Sequence, residues 1–133
     1  MTKILEFWII TKGGIPVFSY SPNSKLNPSL MSSFFSALQS YLLEISEKDA
    51  IDSFSIGNFN YNFLRNNRYG LFFIAKSDIK TKPKNIQKYL ENIAGIFLNT
   101  YKEDLKIFDG DIAKFEGFQT EFDNYLKKKY IFF

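Results

Sequence analysis

The stretch IDSFSIGNFNYNFLRNNRYGLFFIA, from Ile51 to Ala75, carries three strands in direct succession. Its first segment, Ile51 to Ile56, ends at the pair Gly57-Asn58, which is typical of a turn. In the segment that follows, Phe, Tyr and Phe alternate with two asparagines from residue 59 to residue 63. This period of two predicts a strand with one polar face.

The last part of this stretch predicts a strand of a different kind. Asn66-Asn67 suits a tight turn, because asparagine tolerates left-handed backbone angles. Tyr69 to Ala75 is then apolar throughout, which is typical of a strand covered on both faces. The strand from Tyr69 to Ala75, which is the fifth in the chain, is therefore expected at the centre of a sheet. The two strands that precede it are expected further out.

The N-terminal segment predicts a hairpin, and its first strand is also almost continuously apolar. Ile4 to Ile10 is almost continuously apolar and too short for a free helix, so it predicts another strand covered on both faces. Lys12-Gly13-Gly14 supplies the turn, and Ile15 to Tyr20 forms the return strand. Pro16 cannot donate a ladder hydrogen bond, which places the return strand at a sheet edge.

A helix is predicted from Ser29 to about Glu47. Met31 and Phe35 fall on the shoulder of its apolar stripe, and Leu43 points to the far side as an exposed leucine or a contact residue. The residues at helical spacing that define the stripe are Leu30, Phe34, Leu38, Tyr41, Leu42 and Ile45.

Two further helices are predicted after the strands. Pro83 suits the first turn of one, and Asp111 is a suitable N-cap for the other. The first carries apolar residues from Ile86 to Leu105 at helical spacing. The second carries Ile112, Phe115, Phe118, Phe122 and Tyr125.

Together these elements predict one α+β domain over residues 1–133, since this length suits a single core. The two doubly covered strands must be central, and each hairpin must stay adjacent, which gives a five-stranded, mainly antiparallel sheet of order 2-1-5-4-3. One helix would cover one face and two helices the other. Trp8 and Phe72, on the central strands, are expected to be buried.

The composition argues against an enzyme. The chain has no His and no Cys, which excludes the commonest general base, nucleophilic triads, disulfides and thiolate metal sites. Asp109-Gly110-Asp111 is the best carboxylate cluster, but it lacks the ligand pattern of a calcium loop and suits helix capping better. Tyr61, Tyr69 or a lysine could catalyse in principle, but nothing distinguishes one of them. We expect no cofactor.

Charge is distributed unevenly, although the net charge is only +3 and does not favour nucleic acid. Seven basic residues and one acid lie between Arg65 and Lys88, and such runs are usually solvated. The segment 127–133, KKKYIFF, forms a basic, aromatic tail that could touch an anionic membrane weakly, fold back onto the domain or enter a partner's groove. Glu6 interrupts the first apolar run, so we expect no signal peptide and a cytoplasmic protein.

The order strand-strand-helix-strand-strand-strand-helix-helix resembles that of the longin domain over essentially the whole chain. The Gly turn at Gly13-Gly14 followed by Ile15 to Tyr20 is similar to the opening of that family. Arg68 to Phe73 is similar to the segment Arg-Tyr-Ala-Gly-Leu-Phe-Phe of small adaptin subunits, although this chain lacks the Ala. Roadblock domains and profilins are weaker matches because they begin with a helix.

The resemblance implies a non-catalytic platform of the kind that binds small GTPases, SNAREs or coat subunits in membrane traffic. No heptad helix or membrane anchor follows the domain, so the SNARE function is not implied and a stand-alone longin is expected. The leading hypothesis is a scaffold that binds a small GTPase or another longin or roadblock protein. The alternative is a coat-like or tethering subunit that binds peptides or subunits independently of nucleotide.

Six residues are expected to contact partners. The resemblance implies pairing of longin domains through the first helix and the third strand, and so a homodimer or heterodimer. Arg65 and Arg68 flank a turn that forms either an exposed basic tip or a plain solvated hairpin. The expected dimer contacts on the helix and the strand are Phe35, Leu43, Phe54 and Ile56.

Overall fold

The computed structural model describes residues 4–22, 27–46, 53–108 and 110–131, without the side chains of 41–46 and 128–131. Within these ranges it contains five strands, three α-helices and a short 3-10 helix, Ile112–Phe115. The strands are β1 (Glu6–Thr11), β2 (Pro16–Tyr20), β3 (Ser53–Ile56), β4 (Phe59–Asn66) and β5 (Leu71–Asp78). The α-helices are α1 (Pro28–Ser46), α2 (Pro83–Lys106) and α3 (Phe118–Ile131).

The strands form one antiparallel sheet in the order β2-β1-β5-β4-β3, which confirms the predicted order. Central β1 and β5 are buried on both faces. Trp8 is 1% exposed and Phe72 is 5% exposed, so both are buried as expected. Pro16 lies on the edge strand β2, where its missing donor costs no ladder hydrogen bond.

Helices α2 and α3 cover one face of the sheet. Their core is aromatic, and rings from both helices meet rings from the strands at centroid separations of 5–6 Å. Phe97 of α2, for example, contacts Phe73 of β5 and Phe118 of α3. Aromatic contacts of this kind add to the hydrophobic burial of the rings and fix their relative orientation.

Helix α1 covers the other face and is held against the β1–β2 hairpin. Gly14 has a φ of +92°, and a Cβ at this position would lie 3.4 Å from the Ser33 Cα. The Ser36 hydroxyl donates a hydrogen bond to the Lys12 carbonyl, which joins the helix to the same turn. These contacts fix the rotation of α1 about its axis.

That rotation differs from the predicted one. Leu30 is 61% exposed and Phe34 is 46% exposed, so their assignment to the core stripe was wrong. Phe35, Ser32 and Gln39 face the sheet instead and are buried. The contact with Gly14 and the small Ser32 lets the helix approach on this side, which the apolar pattern alone could not show. Tyr41, Leu42 and Ile45 lie outside the described side chains.

The C-terminal part also differs in detail. The Asp111 carboxylate accepts a hydrogen bond from the Ala113 amide, so it caps the 3-10 helix rather than the long helix that follows. Ile112 is 40% exposed and is not part of the α3 face. Helix α3 continues to Ile131, so most of the expected tail is helical. No helix in the described ranges is long and apolar enough to cross a bilayer.

The turn between β4 and β5 is longer than the two-residue turn predicted at Asn66-Asn67. Strand β4 runs through Asn66, and the turn spans residues 67–70 with a φ of +64° at Gly70. The Asn66 side-chain oxygen accepts a hydrogen bond of 2.9 Å from the Tyr69 amide. Tyr69 therefore belongs to the turn and not to β5.

Candidate functional site

The sheet face that α1 covers extends to the edge strand β3, where its apolar side chains become accessible. Phe54 stacks on Tyr61 with ring centroids 5.0 Å apart and planes 8° from parallel. Ile56 is 53% exposed, and its cross-strand neighbour Phe59 is 37% exposed. We call Phe54, Ile56, Phe59 and Tyr61 the β3 surface.

An ion pair lies beside the β3 surface. Lys76 Nζ lies 2.7 Å from Glu6 Oε2 and 4.3 Å from the centroid of the Phe59 ring. Desolvation opposes the charge of Lys76, but its hydrogen bond and attraction to Glu6, with a smaller contribution from Tyr61, outweigh this and raise its pKa above that of an ordinary lysine. The lysine therefore stays charged at neutral pH and faces the aromatic rings as a cation.

The two expected helix contacts have different outcomes. Phe35 is completely buried against Trp8, Tyr61 and Phe63, so the expectation that it extends beyond the core was wrong. The side chain lies under the helix because α1 is rotated relative to the predicted stripe. Leu43 lies outside the described side chains. Of the four expected dimer contacts, the structure thus places Phe54 and Ile56 on one accessible surface.

A second candidate site lies at the β4–β5 turn. Arg68 is exposed and its guanidinium lies 5.4 Å from the centroid of the Tyr69 ring. Arg65 is half-buried on β4, opposite Phe72 of β5. Arg68 lines an open cleft of about 330 Å³ between the turn and α2, which we call the turn cleft. Its lining residues are Asn66, Arg68, Tyr69, Gly95, Leu98, Asn99 and Lys102.

The two sites lie at opposite ends of β4. Ile56 pairs with Phe59 at the start of this strand, whereas Arg65 lies six residues further along, about 20 Å away at the rise of an extended strand. The structure therefore does not bring Arg68 to the β3 surface. Both sites could be occupied at the same time.

Sequence reasoning missed several members of both sites. Lys102 lines the same cleft as Arg68 because α2 packs across the sheet. The two residues are far apart in sequence, so no local pattern indicates that they are neighbours. The ion pair between Glu6 and Lys76 depends on the register of β1 against β5. The sequence predicted that these two strands are neighbours, but it did not predict which residues pair. Phe59 and Tyr61 were predicted to share a face, and the alternation with asparagine was the signal for that.

The carboxylates of the described residues do not form a metal-binding cluster. No group of three or more His, Cys, Asp or Glu among them could hold a metal ion. Asp111 is engaged by the Ala113 amide at 3.0 Å, and Asp109 lies outside the described residues.

Solved structures of low sequence identity share the fold. A chain of the signal recognition particle receptor SRb-GTP/SRX complex from Chaetomium thermophilum has a TM-score of 0.66 at 21% identity, covering 95% of this chain and 98% of its own. A chain of the mammalian SRP receptor has a TM-score of 0.63 at 15% identity, covering 96% and 95%. Myxococcus xanthus MglB has a TM-score of 0.55 at 11% identity, covering 72% and 85%.

No curated protein matches the chain in sequence. The family model described as the first longin domain of FUZ, MON1 and HPS1 matches residues 6–108. The match includes all five strands, α1 and α2, which are the elements that build both candidate sites. This match agrees with the observed sheet order and with the resemblance of the sequence to longin domains. The chain belongs to the longin domain family, in the group formed by the first longin domains of FUZ, MON1 and HPS1.

Proposed function

We propose that this protein is a non-enzymatic longin module of the cytoplasm that binds a small GTPase, acting in GTPase regulation or membrane traffic with at most peripheral membrane contact. Its membership in the longin family is the observation that carries this proposal. A neighbour of the same fold is a chain of a complex that contains SRb in its GTP-bound form. That neighbour supports the proposal through its fold.

The turn cleft is the surface that we assign to the GTPase. It combines the exposed cations of Arg68 and Lys102 with the Asn66 and Asn99 amides and the Tyr69 ring. Arginine beside an aromatic ring is a frequent anchor in protein interfaces. Two cations without an acid in the lining suit an acidic patch on the partner.

We expect nucleotide-dependent binding through this cleft. Purified small GTPases of the source organism, each loaded with GTPγS or GDP, would be tested for affinity by biolayer interferometry. At least one should bind at least tenfold more tightly in one nucleotide state. Reversing both charges, Arg68→Glu with Lys102→Glu, should weaken that complex at least tenfold, because like charges would then face each other.

The matched control reverses two exposed lysines outside the cleft, Lys106→Glu with Lys114→Glu, and should leave the affinity within about threefold. Equal loss in both double variants would mean that net charge and not the cleft governs binding. Equal affinity for the two nucleotide states would favour the alternative function, a coat-like or tethering subunit.

We further propose that the β3 surface pairs with a second longin domain, first of all a second copy of this chain. The outer edge of β3 has no strand partner within the described residues. The other sheet edge is blunted by Pro16, but β3 reads Ser-Phe-Ser-Ile and has neither proline nor charge to prevent strand addition. An antiparallel pair of β3 strands would be self-complementary about a two-fold axis.

Ile56→Lys is therefore expected to convert a dimer into a monomer in size-exclusion chromatography with light scattering. Ile56 is more than half exposed, so the substitution should leave the fold stable while placing two like charges in the paired edge. Ile107→Lys is the control, because Ile107 is 70% exposed beyond the end of α2. A parent chain that stays monomeric at high concentration would exclude the homodimer and leave a heterologous longin as the partner.

A further inference from the structure

The start of α2 carries exposed lysines that neither proposed contact uses. Lys80, Lys82, Lys84 and Lys88 are all exposed, and residues 79–90 contain no acidic residue. Lys84 and Lys88 are four residues apart and so lie on the same side of the helix. The exposed apolar side chain of Ile79, 46% accessible, lies in the same segment.

Helix packing brings a second basic segment to the same end. Glu121 of α3 accepts a hydrogen bond of 3.1 Å from Thr100 of α2, whereas Tyr125 contacts Tyr89 with ring centroids 5.4 Å apart. The two helices are therefore antiparallel. Lys127 follows Tyr125 by two residues on α3, so this exposed lysine lies toward the start of α2, where Lys84 and Lys88 lie. We call Lys80, Lys82, Lys84, Lys88 and Lys127 the basic end.

The acids nearest in sequence do not neutralise the basic end. Asp78 is exposed, and its carboxylate accepts a hydrogen bond of 2.8 Å from the Lys80 backbone amide. Glu91 is exposed less than one turn after Lys88. Asp123 lies one turn before Lys127 on α3, and its carboxylate accepts a hydrogen bond of 2.9 Å from the Gln119 side chain. The five lysines of the basic end outnumber these three acids. The basic end therefore carries a net positive charge.

We propose that the basic end docks on an anionic lipid bilayer, with the lysines at the headgroups and Ile79 directed into the interface. Lysines beside an exposed apolar side chain are the composition of interfacial contacts. The sequence alone predicts weak membrane contact at most, but the packing of α3 on α2 places Lys127 at the same end as the four lysines around the start of α2.

This proposal deepens the peripheral membrane contact of the proposed function and does not require a GTPase. Attraction of a lysine near an anionic leaflet strengthens binding about fivefold per residue and weakens with salt. Removing three lysines should therefore lower the affinity about 100-fold, if all three face the membrane.

Vesicle co-sedimentation of the full chain tests the proposal. We expect binding to vesicles of phosphatidylcholine and phosphatidylserine at 7:3 in low salt, little binding to phosphatidylcholine alone, and release at high salt. Lys82→Gln with Lys84→Gln and Lys88→Gln should lower the partition coefficient by at least tenfold. The control, Lys12→Gln with Lys106→Gln and Lys114→Gln, removes the same charge from exposed positions outside the basic end and should change it by less than threefold.

Two outcomes would overturn the proposal: a parent chain that does not bind anionic vesicles, or an equal loss in both triple variants. If the parent binds a polyglutamate peptide but not the vesicles, the first outcome holds and the basic end recognises an acidic peptide instead. Circular dichroism of both variants confirms that each remains folded. The GTPase affinity of the Lys82, Lys84 and Lys88 variant, measured without lipid, should match that of the parent. Failure of the lipid proposal is thereby separated from failure of GTPase binding.

Discussion

Replacing Phe72 with alanine is expected to lower the free energy of unfolding by about 3–5 kcal/mol. Phe72 lies on the central strand β5, opposite Ile10 of β1, in the core beneath α1. The substitution removes a buried ring and leaves a cavity that the neighbouring strands cannot close, since both are fixed by ladder hydrogen bonds. Urea denaturation at equilibrium measures the change.

Ile107→Ala provides the comparison for Phe72→Ala. Ile107 is 70% exposed, so its truncation should change the free energy of unfolding by about 0.5 kcal/mol or less. If Phe72→Ala unfolds at the same denaturant concentration as the parent, the central position of β5 is wrong. The sheet order and both candidate sites depend on that position.

The strand order could be predicted because burial leaves a clear record in sequence. Strands covered on both faces, such as β5, read as unbroken apolar runs, whereas β4 alternates because one of its faces carries asparagines. Short turns then restricted which strands could be neighbours. These are local signals, and the fold needs few others to become unique.

The rotation of α1 could not be predicted in the same way. Its buried side includes Ser32 and Gln39, which interrupt the apolar period, while Leu30 and Phe34 make a convincing stripe on the wrong side. The deciding contact is the approach of Ser33 to Gly14, which joins residues 19 apart in sequence. A hydrophobic pattern records which residues are apolar, but tertiary contacts decide which of two adjacent apolar faces is covered.

In the candidate sites too, some positions could be predicted from the sequence and others could not. Phe54 and Ile56 could be placed on an edge strand from sequence alone, because β3 is short and follows the strand order. The turn cleft and the basic end could not, since each joins residues from segments that only helix packing brings together. The charge runs singled out basic residues such as Arg68, but they did not indicate which residues of other segments lie beside them.

Replacing Phe35 with alanine is the test of the observed rotation of α1. Phe35 is fully buried and contacts the rings of Trp8, Tyr61 and Phe63 at centroid separations of 5.2–5.8 Å. Truncation should lower the free energy of unfolding by about 3–5 kcal/mol. For a domain of this size the melting temperature should fall by about 10–20 °C.

The adjacent residue supplies the matched control for Phe35→Ala. Phe34 has the same side chain on the same helix but is 46% exposed, so Phe34→Ala should cost about 1 kcal/mol. A larger loss in Phe34→Ala than in Phe35→Ala would restore the stripe predicted from the sequence and return Phe35 to the candidate partner contacts. The observed order instead makes Phe35 the ring that holds α1 on the sheet, beside the strands that present the β3 surface to a partner.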